Sequence, residues 1–304
     1  MFFRNLTLFR FPEGIEKRFK QLDAQLGEHE LRPCGPLELQ TRGWVSPYGR
    51  GESMFALEQG KLALMALGGE DKLLPTAVIN QHIAEKVDEI EKQRGRPVGT
   101  RERRKLKDDA LTELLPRALA RPSRLAGYLD IAQGWLVVDS SSRKAAEGFV
   151  SALRNAIGSF PAVGLEPEES PRALMTEWMI EGKLPAGFAL GDECELKDPA
   201  DRGAIVRCRR QDLAADEMRE HLTSGKQVTQ LALTFEERMR FVLDDTLTVR
   251  KFKLLDIAVE QLDKGDRDSA KAELDARFAL MSGEVARLLA AIETTFGVPR
   301  PQSL

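Results

Sequence analysis

The sequence predicts an α+β fold, with mixed helices and antiparallel sheets in two to three subdomains. Three observations carry this prediction. Segments with a helical hydrophobic period and segments with a strand period interleave without a strict βαβ alternation. Many candidate strands are separated only by turns containing glycine or proline. At 304 residues, the chain is also longer than a usual single domain. The changes in texture suggest boundaries that give 1–75, 76–165 and 166–304.

The first region opens with a short strand, 5–10, then a helix in which Ile15, Phe19, Leu22 and Leu26 recur at helical spacing. Residues 37–41, 53–58 and 61–67 read as strands, and the run Gly68-Gly-Glu-Asp71 reads as a turn. A helix over 76–92 carries the stripe Ile79, Ile83, Val87 and Ile90. Gly95 and Pro97-Val-Gly99 interrupt it, and Thr100 can cap a second helix running toward Ala120. Pro116 should end or kink that helix near Leu115, because proline lacks the amide proton and clashes with the preceding turn. Residues 116–124, with Arg117, Arg121 and Arg124, then form a bent or looped element.

Strands over 125–131 and 135–139 come next, then a helix over 142–157 and a short strand near 161–164. The acidic, proline-bearing segment 166–171 reads as a linker. Beyond it the pattern predicts a helix over 171–181 and strands at 187–195, 204–209, 228–234, 239–243 and 248–254, with a short helix at 215–222. The chain closes on a long helix, 269–295. Its apolar residues Leu274, Phe278, Met281, Val285, Leu288 and Ile292 step 4-3-4-3-4, the spacing of a packing seam. In a mixed chain such a seam belongs more often to the core than to an oligomer contact.

Composition narrows the function. Hydrophobic residues make up 42% and charged residues 31%, which excludes a disordered chain. No apolar run reaches the roughly 18 residues of a membrane span, and the N-terminus lacks a secretory pattern. Three cysteines, Cys34, Cys194 and Cys208, stand apart without metal-ligand spacing, as in a reducing, cytoplasmic compartment. No nucleophile elbow, zinc-helix motif or phosphate loop is present, so no catalytic residue, metal or cofactor is expected. The adjacent acids Asp108/Asp109 and Asp244/Asp245 could serve a metal-dependent nuclease, but neighbouring carboxylates point in different directions on a helix or a strand.

The net charge of −3 hides an asymmetry. Residues 92–107 carry eight basic side chains against Glu102 alone, so this window is +7 and the rest of the chain is −10. Two of those charges, Arg104 and Lys105, can be met by Asp108 and Asp109 one helical turn on. Arg101 and Lys105 should project opposite the apolar stripe. A second basic element follows in 202–210, where a strand places Ile205, Arg207 and Arg209 on one face, with Arg202 and Arg210 nearby. A third places Lys251 and Lys253 together. Surfaces of this kind bind phosphates and release counterions. No base-reading motif accompanies them, so contacts should fall on a nucleic-acid backbone. A scaffold that docks an acidic protein is the other non-enzymatic reading.

Several local strings then identify a resemblance. Gln93-Arg-Gly-Arg-Pro-Val-Gly99, Leu106-Lys-Asp-Asp109 and Leu114-Leu-Pro-Arg-Ala118 are similar to the recombination-associated protein RdgC family. So are Met1-Phe-Phe-Arg-Asn-Leu6, Leu174–Trp178, Pro185-Ala-Gly-Phe188, Arg210-Gln-Asp-Leu213 and Leu280-Met-Ser-Gly-Glu284. The resemblance spans essentially the whole chain. It implies a non-enzymatic, nucleoid-associated protein that binds double-stranded DNA with little sequence preference, single-stranded DNA being a second candidate. It further implies that crescent-shaped protomers close into a ring-shaped homodimer around DNA and limit access of the RecA recombinase.

The family's DNA-contacting and gate positions map onto Arg96, Arg117, Leu119, Arg210 and Gln211. Leu119 stands where relatives commonly have phenylalanine, and Arg210 where lysine is also found. With the basic window, the expected DNA-binding set becomes Arg96, Arg101, Arg103, Arg104, Lys105, Arg117, Arg121, Arg210 and Gln211. Leu119 is expected at the dimer gate.

Overall fold

The computed structural model describes residues 2–49, 51–200, 203–260 and 269–302. Helices and antiparallel sheets are mixed along the chain, an α+β fold as the sequence predicts. The chain divides into two compact units. One comprises Met1–Gly27, Ser46–Ala66 and Leu125–Leu304, and the other Glu28–Val45 and Leu67–Arg124.

The larger unit holds β1 (Thr7–Arg10), α1 (Leu22–Gly27), β3 (Ala56–Gln59) and the first half of β4 (Leu62–Lys72). The second half of β5 (Ala120–Asp130), β6 (Trp135–Val138), α4 (Arg143–Ile157) and β7 (Val163–Gly164) follow. β6 and β7 flank β1 antiparallel, and β5 pairs β6 from Gly127 to Asp130. α4 forms where the stripe predicts. Ser142 accepts the Ala145 amide as N-cap, and Ala146, Phe149, Val150, Leu153 and Ile157 are buried.

A five-stranded sheet completes this unit, in the order β12-β11-β10-β8-β9. Its strands are β8 (Phe188–Lys197), β9 (Ile205–Arg209), β10 (Gln227–Phe235), β11 (Met239–Asp244) and β12 (Val249–Leu254). Helices α5 (Pro171–Glu181), α6 (Asp216–Thr223), α7 (Asp256–Val259) and α8 (Ala270–Phe296) belong to the same unit. The α8 seam is core: Phe278, Met281, Val285, Leu288 and Ile292 are buried with Tyr128, Trp178 and the inner face of the sheet. Residues 166–171 are not a free linker, because the Glu168 and Glu169 amides donate to the carbonyls of Gly297 and Phe296.

The smaller unit contains β2 (Gln40–Val45), the second half of β4, α2 (Thr76–Arg94), α3 (Thr100–Leu114) and the first half of β5. Three expectations are corrected here. The strand placed at 37–41 lies at Gln40–Val45, because Trp44 is the buried anchor and exchanges backbone hydrogen bonds with the His29–Leu31 segment. The turn placed at 68–71 is continuous strand. Its glycines mark close approach instead: a Cβ at Gly68 would lie 2.6 Å from Val45 Cγ1, and one at Gly69 would lie 2.7 Å from Arg42 Nη1. Finally, 116–124 is not a loop. Pro116 does end α3, in a 3-10 turn over Leu115–Arg117, but β5 begins at Ala120 and carries Arg121 and Arg124.

Candidate nucleic-acid interface

In the smaller unit, α2 ends on Gly95 in the left-handed conformation, φ +64°, and the 95–99 connection turns the chain into α3. This basic connection is braced from both helices. Glu91 Oε1 accepts the Val98 amide at 2.8 Å, and Val98 is buried. Glu102 receives Arg94 at 2.6 Å and Arg96 at 3.4 Å. The one acid of the basic window therefore restrains two arginines at once.

On α3, Arg101, Arg104 and Lys105 fall within an arc of about 100°, with Ala110 diametrically opposite. Ala110 is buried and the three cations are exposed, so this arc is the outer face. Asp108 shares the arc. Among the described residues, however, Arg104 and Asp108 form no ion pair, nor do Lys105 and Asp109, contrary to the pairing the spacing allows. Arg103 does not join this face. It lines a groove between α2 and α3 with Asn80, Ile83, Ala84, Val87 and Asp88.

Arg117 is exposed at the end of the 3-10 turn. Glu113, one turn earlier, is held below the usual carboxylate range by its hydrogen bond with His82, then by Lys86, with Arg117 adding to the effect. Arg121 is exposed on β5. Between them Leu119 is 76% exposed, and its carbonyl accepts the Leu73 amide. The Leu39 carbonyl accepts the amide of Lys72, which brings exposed Leu37, Leu39, Leu73 and Leu119 into one neighbourhood.

The larger unit holds the other candidates. β9 alternates as predicted: Ile205, Arg207 and Arg209 are exposed, while Val206 and Cys208 are half-buried. The acid-free run nevertheless acquires acids from the neighbouring strand. Glu195 and Glu193 on β8 stand opposite Arg207 and Arg209, and Arg207 Nε donates to Glu195 at 2.7 Å. Lys251 on β12 reaches across to Glu193, and Arg250 Nε donates to Asp244 at 2.9 Å. Glu193, Glu195, Arg207, Arg209, Arg250 and Lys251 line a trough of about 220 Å³ on the outer sheet face. Lys251 and Lys253 are exposed either side of buried Phe252, as their spacing predicts.

Arg210 has φ +55°, a left-handed conformation that lets the chain leave β9. Its neighbour Gln211 donates through its side chain to Glu217 at 3.3 Å. Arg202 lies outside the described residues. Arg240 and Arg250, which the sequence reading passed over, also lie on the outer face. Arg240 pairs with Lys253 in register, and the Met239-Arg-Phe241 alternation was the available signal.

The carboxylates of the nuclease alternative are placed as follows. Asp244 Oδ1 accepts the Thr246 and Thr248 amides and the Thr246 hydroxyl, while Oδ2 takes Arg250. Asp245 is bonded by Arg172. Asp108 and Asp109 are exposed and about 100° apart around α3. Among the described residues, no three His, Cys, Asp or Glu side chains gather as a metal site. No helix among them is long and apolar enough to cross a membrane.

Exposed guanidinium and ammonium groups on a braced helical hairpin form a cationic surface. Comparison with known proteins then supplies the family. A family model described as "Putative exonuclease, RdgC" matches residues 1–298. The chain is 48% identical over 303 residues to the recombination-associated protein RdgC of Xanthomonas axonopodis pv. citri (strain 306), covering 99% of this chain and 100% of the relative. It is 47% identical over 304 residues to the protein of that name from Xanthomonas campestris pv. campestris (strain B100), with both chains covered fully. With the one from Stenotrophomonas maltophilia (strain R551-3) it shares 48% over 297 residues, 97% of this chain and 98% of the relative. The chain belongs to the RdgC family.

Proposed function

We propose that this protein binds double-stranded DNA through its backbone, without sequence preference, and acts stoichiometrically rather than as an enzyme. The observation that carries this reading is the outer face of α3, where Arg101, Arg104 and Lys105 stand exposed with no ion-pair partner among the described residues. Each such group can neutralise a phosphate and release counterions. Arg117, Arg121 and Arg210 extend the set, while Arg96 must first leave Glu102, and Gln211 must leave Glu217, to reach DNA.

In this reading the protein is a nucleoid-associated homodimer closed into a ring, which limits RecA access to DNA by occupying it. A closed ring needs two separate contacts per chain. The exposed leucines around Leu119 support one of them, since solvated apolar side chains clustered beside a basic surface are best explained by burial against a second copy. Leucine fills the gate position with aliphatic rather than aromatic area.

The word exonuclease in the family description favours testing a second reading, metal-dependent hydrolysis. Asp244 and Asp245 are poorly suited to it, because their oxygens already accept bonds from the turn, Arg250 and Arg172. One experiment addresses both readings. Protein is loaded on relaxed circular and on linearised plasmid with Mg²⁺, challenged with high salt, and the retained DNA is examined on gels. A ring predicts retention on circles, loss from linear ends and intact DNA. Equal loss from both forms would refute encirclement, and shortened linear DNA would refute the non-enzymatic reading.

A further inference from the structure

The two edges of the five-stranded sheet are treated differently. At β12 the chain's own N-terminal segment seals the edge. The Leu6 amide donates to Val249 O at 2.7 Å, the Val249 amide to Leu6 O at 3.0 Å, and the Phe252 amide to Arg4 O at 2.7 Å. At the opposite edge β9 pairs, among the described residues, with β8 alone.

The direction of its main-chain groups follows from the register. The Asp198 amide donates to Ala204 O at 3.0 Å, so residue 204 turns its polar backbone toward β8. Antiparallel main-chain groups alternate in direction, hence Val206 and Cys208 also face β8. The N–H and C=O groups of Ile205, Arg207 and Arg209 face away from it. Among the described residues none of these groups has a hydrogen-bond partner. Every residue of the strand is at least partly exposed.

An open edge of this kind is a template for a further strand. Its side chains select which one. Arg207 and Arg209 occupy alternate positions of one face, and Arg210 follows at the strand's end. A second copy of β9 added antiparallel would bring arginines against arginines, which disfavours self-pairing. Among the described residues Arg207 pairs with Glu195, and Arg209 and Arg210 form no ion pair. The half-buried face formed by Val206 and Cys208 beside Met218 offers apolar contact on the other side.

We propose that β9 is a docking edge for an extended acidic segment of a partner protein, which adds as a sixth strand. Its carboxylates at alternate positions lie over Arg207 and Arg209, and small apolar residues in between lie beside Val206 and Cys208. The edge differs from the α3 face, and its recognition rests on alternating main-chain donors and acceptors, whereas a DNA phosphate backbone offers acceptors only.

The test uses the full protein and a fluorescein-labelled ten-residue peptide in which glutamate alternates with valine or threonine. Binding is read by anisotropy, and hydrogen exchange reports on the edge amides. The expected result is saturable binding with slowed exchange at Ile205, Arg207 and Arg209. Methylating alternate peptide nitrogens should weaken binding at least tenfold, and replacing glutamate by lysine should abolish it.

Ile205→Pro removes one outward N–H and no charge, and should weaken binding at least tenfold while leaving duplex binding intact. If that variant unfolds, the methylated peptides on the unaltered protein make the same discrimination. Absence of binding overturns the proposal, as does binding insensitive to backbone methylation, which would reduce the edge to a charge patch. Loss of duplex binding in a folded Ile205→Pro variant would assign the edge to nucleic acid and overturn it too.

Discussion

Salt dependence distinguishes charges that are free to meet phosphate from charges already neutralised inside the protein. Arg101, Arg104 and Lys105 are exposed on the outer arc of α3 without ion-pair partners among the described residues, whereas Arg94 and Arg96 share Glu102. Replacing the three outer residues by alanine should therefore remove three contacts per protomer. At about 0.9 ion released per phosphate, the slope of log K against log salt becomes shallower by about 2.7 per engaged protomer. Over a fourfold rise in salt, from about 50 to 200 mM, the ratio of wild-type to mutant affinity should thus fall on the order of 40-fold.

The contrasting variant is Glu102→Gln, which releases Arg94 and Arg96 and should steepen the slope. Both are measured by fluorescence anisotropy on a random-sequence duplex across several salt concentrations. An unchanged slope in the triple variant would refute the assignment of α3. An equal fall on replacing Arg94 and Arg96 would refute the distinction between paired and free arginines.

Three further outcomes follow from burial and its absence. Leu119→Asp should leave the unfolding midpoint unchanged, because the side chain is 76% exposed, and should abolish salt-resistant retention on circular plasmid, because the other dimer contact alone leaves the ring open. Leu288→Ala, at a fully buried position of the α8 seam, should cost about 2–5 kcal/mol in urea unfolding. Burial, and secondarily Cys208 opposite it, push the Cys194 thiol up to about 12. The folded state favours its neutral form, so this contribution is complete below the unfolded value near 9 and is lost as pH rises toward 12. Iodoacetamide at pH 8 should accordingly spare Cys194 in the native protein and label it once urea is added. Rapid labelling of the native protein would contradict its burial.

Elements whose signal is local were legible in the chain itself. The α4 stripe from Ala146 to Ile157, the α8 seam, the end of α3 at Pro116 and the alternation of β9 each depend on residues within a turn or two of one another. The basic window and its outward residues Arg101 and Lys105 were legible for the same reason: helical period alone sets which side faces away from Ala110.

Tertiary structure decided the rest, because strand partners are distant in sequence. Whether Gly68-Gly69 turns or continues depends on Val45 and Arg42 lying against it. Whether β9 is a free basic strand depends on Glu193 and Glu195, which precede it by ten residues or more and become its neighbours only through the β8–β9 register. Leu37 and Leu39 look like core until the register of β2 buries Trp44 instead and leaves them in solvent. Composition and period determined that this chain folds as α+β and where its cations are concentrated. Only the tertiary structure determined which cations are neutralised, Arg94 and Arg96 by Glu102 across the α2–α3 turn and Arg207 by Glu195 across the sheet, since a charge is cancelled by its neighbours in space rather than in sequence.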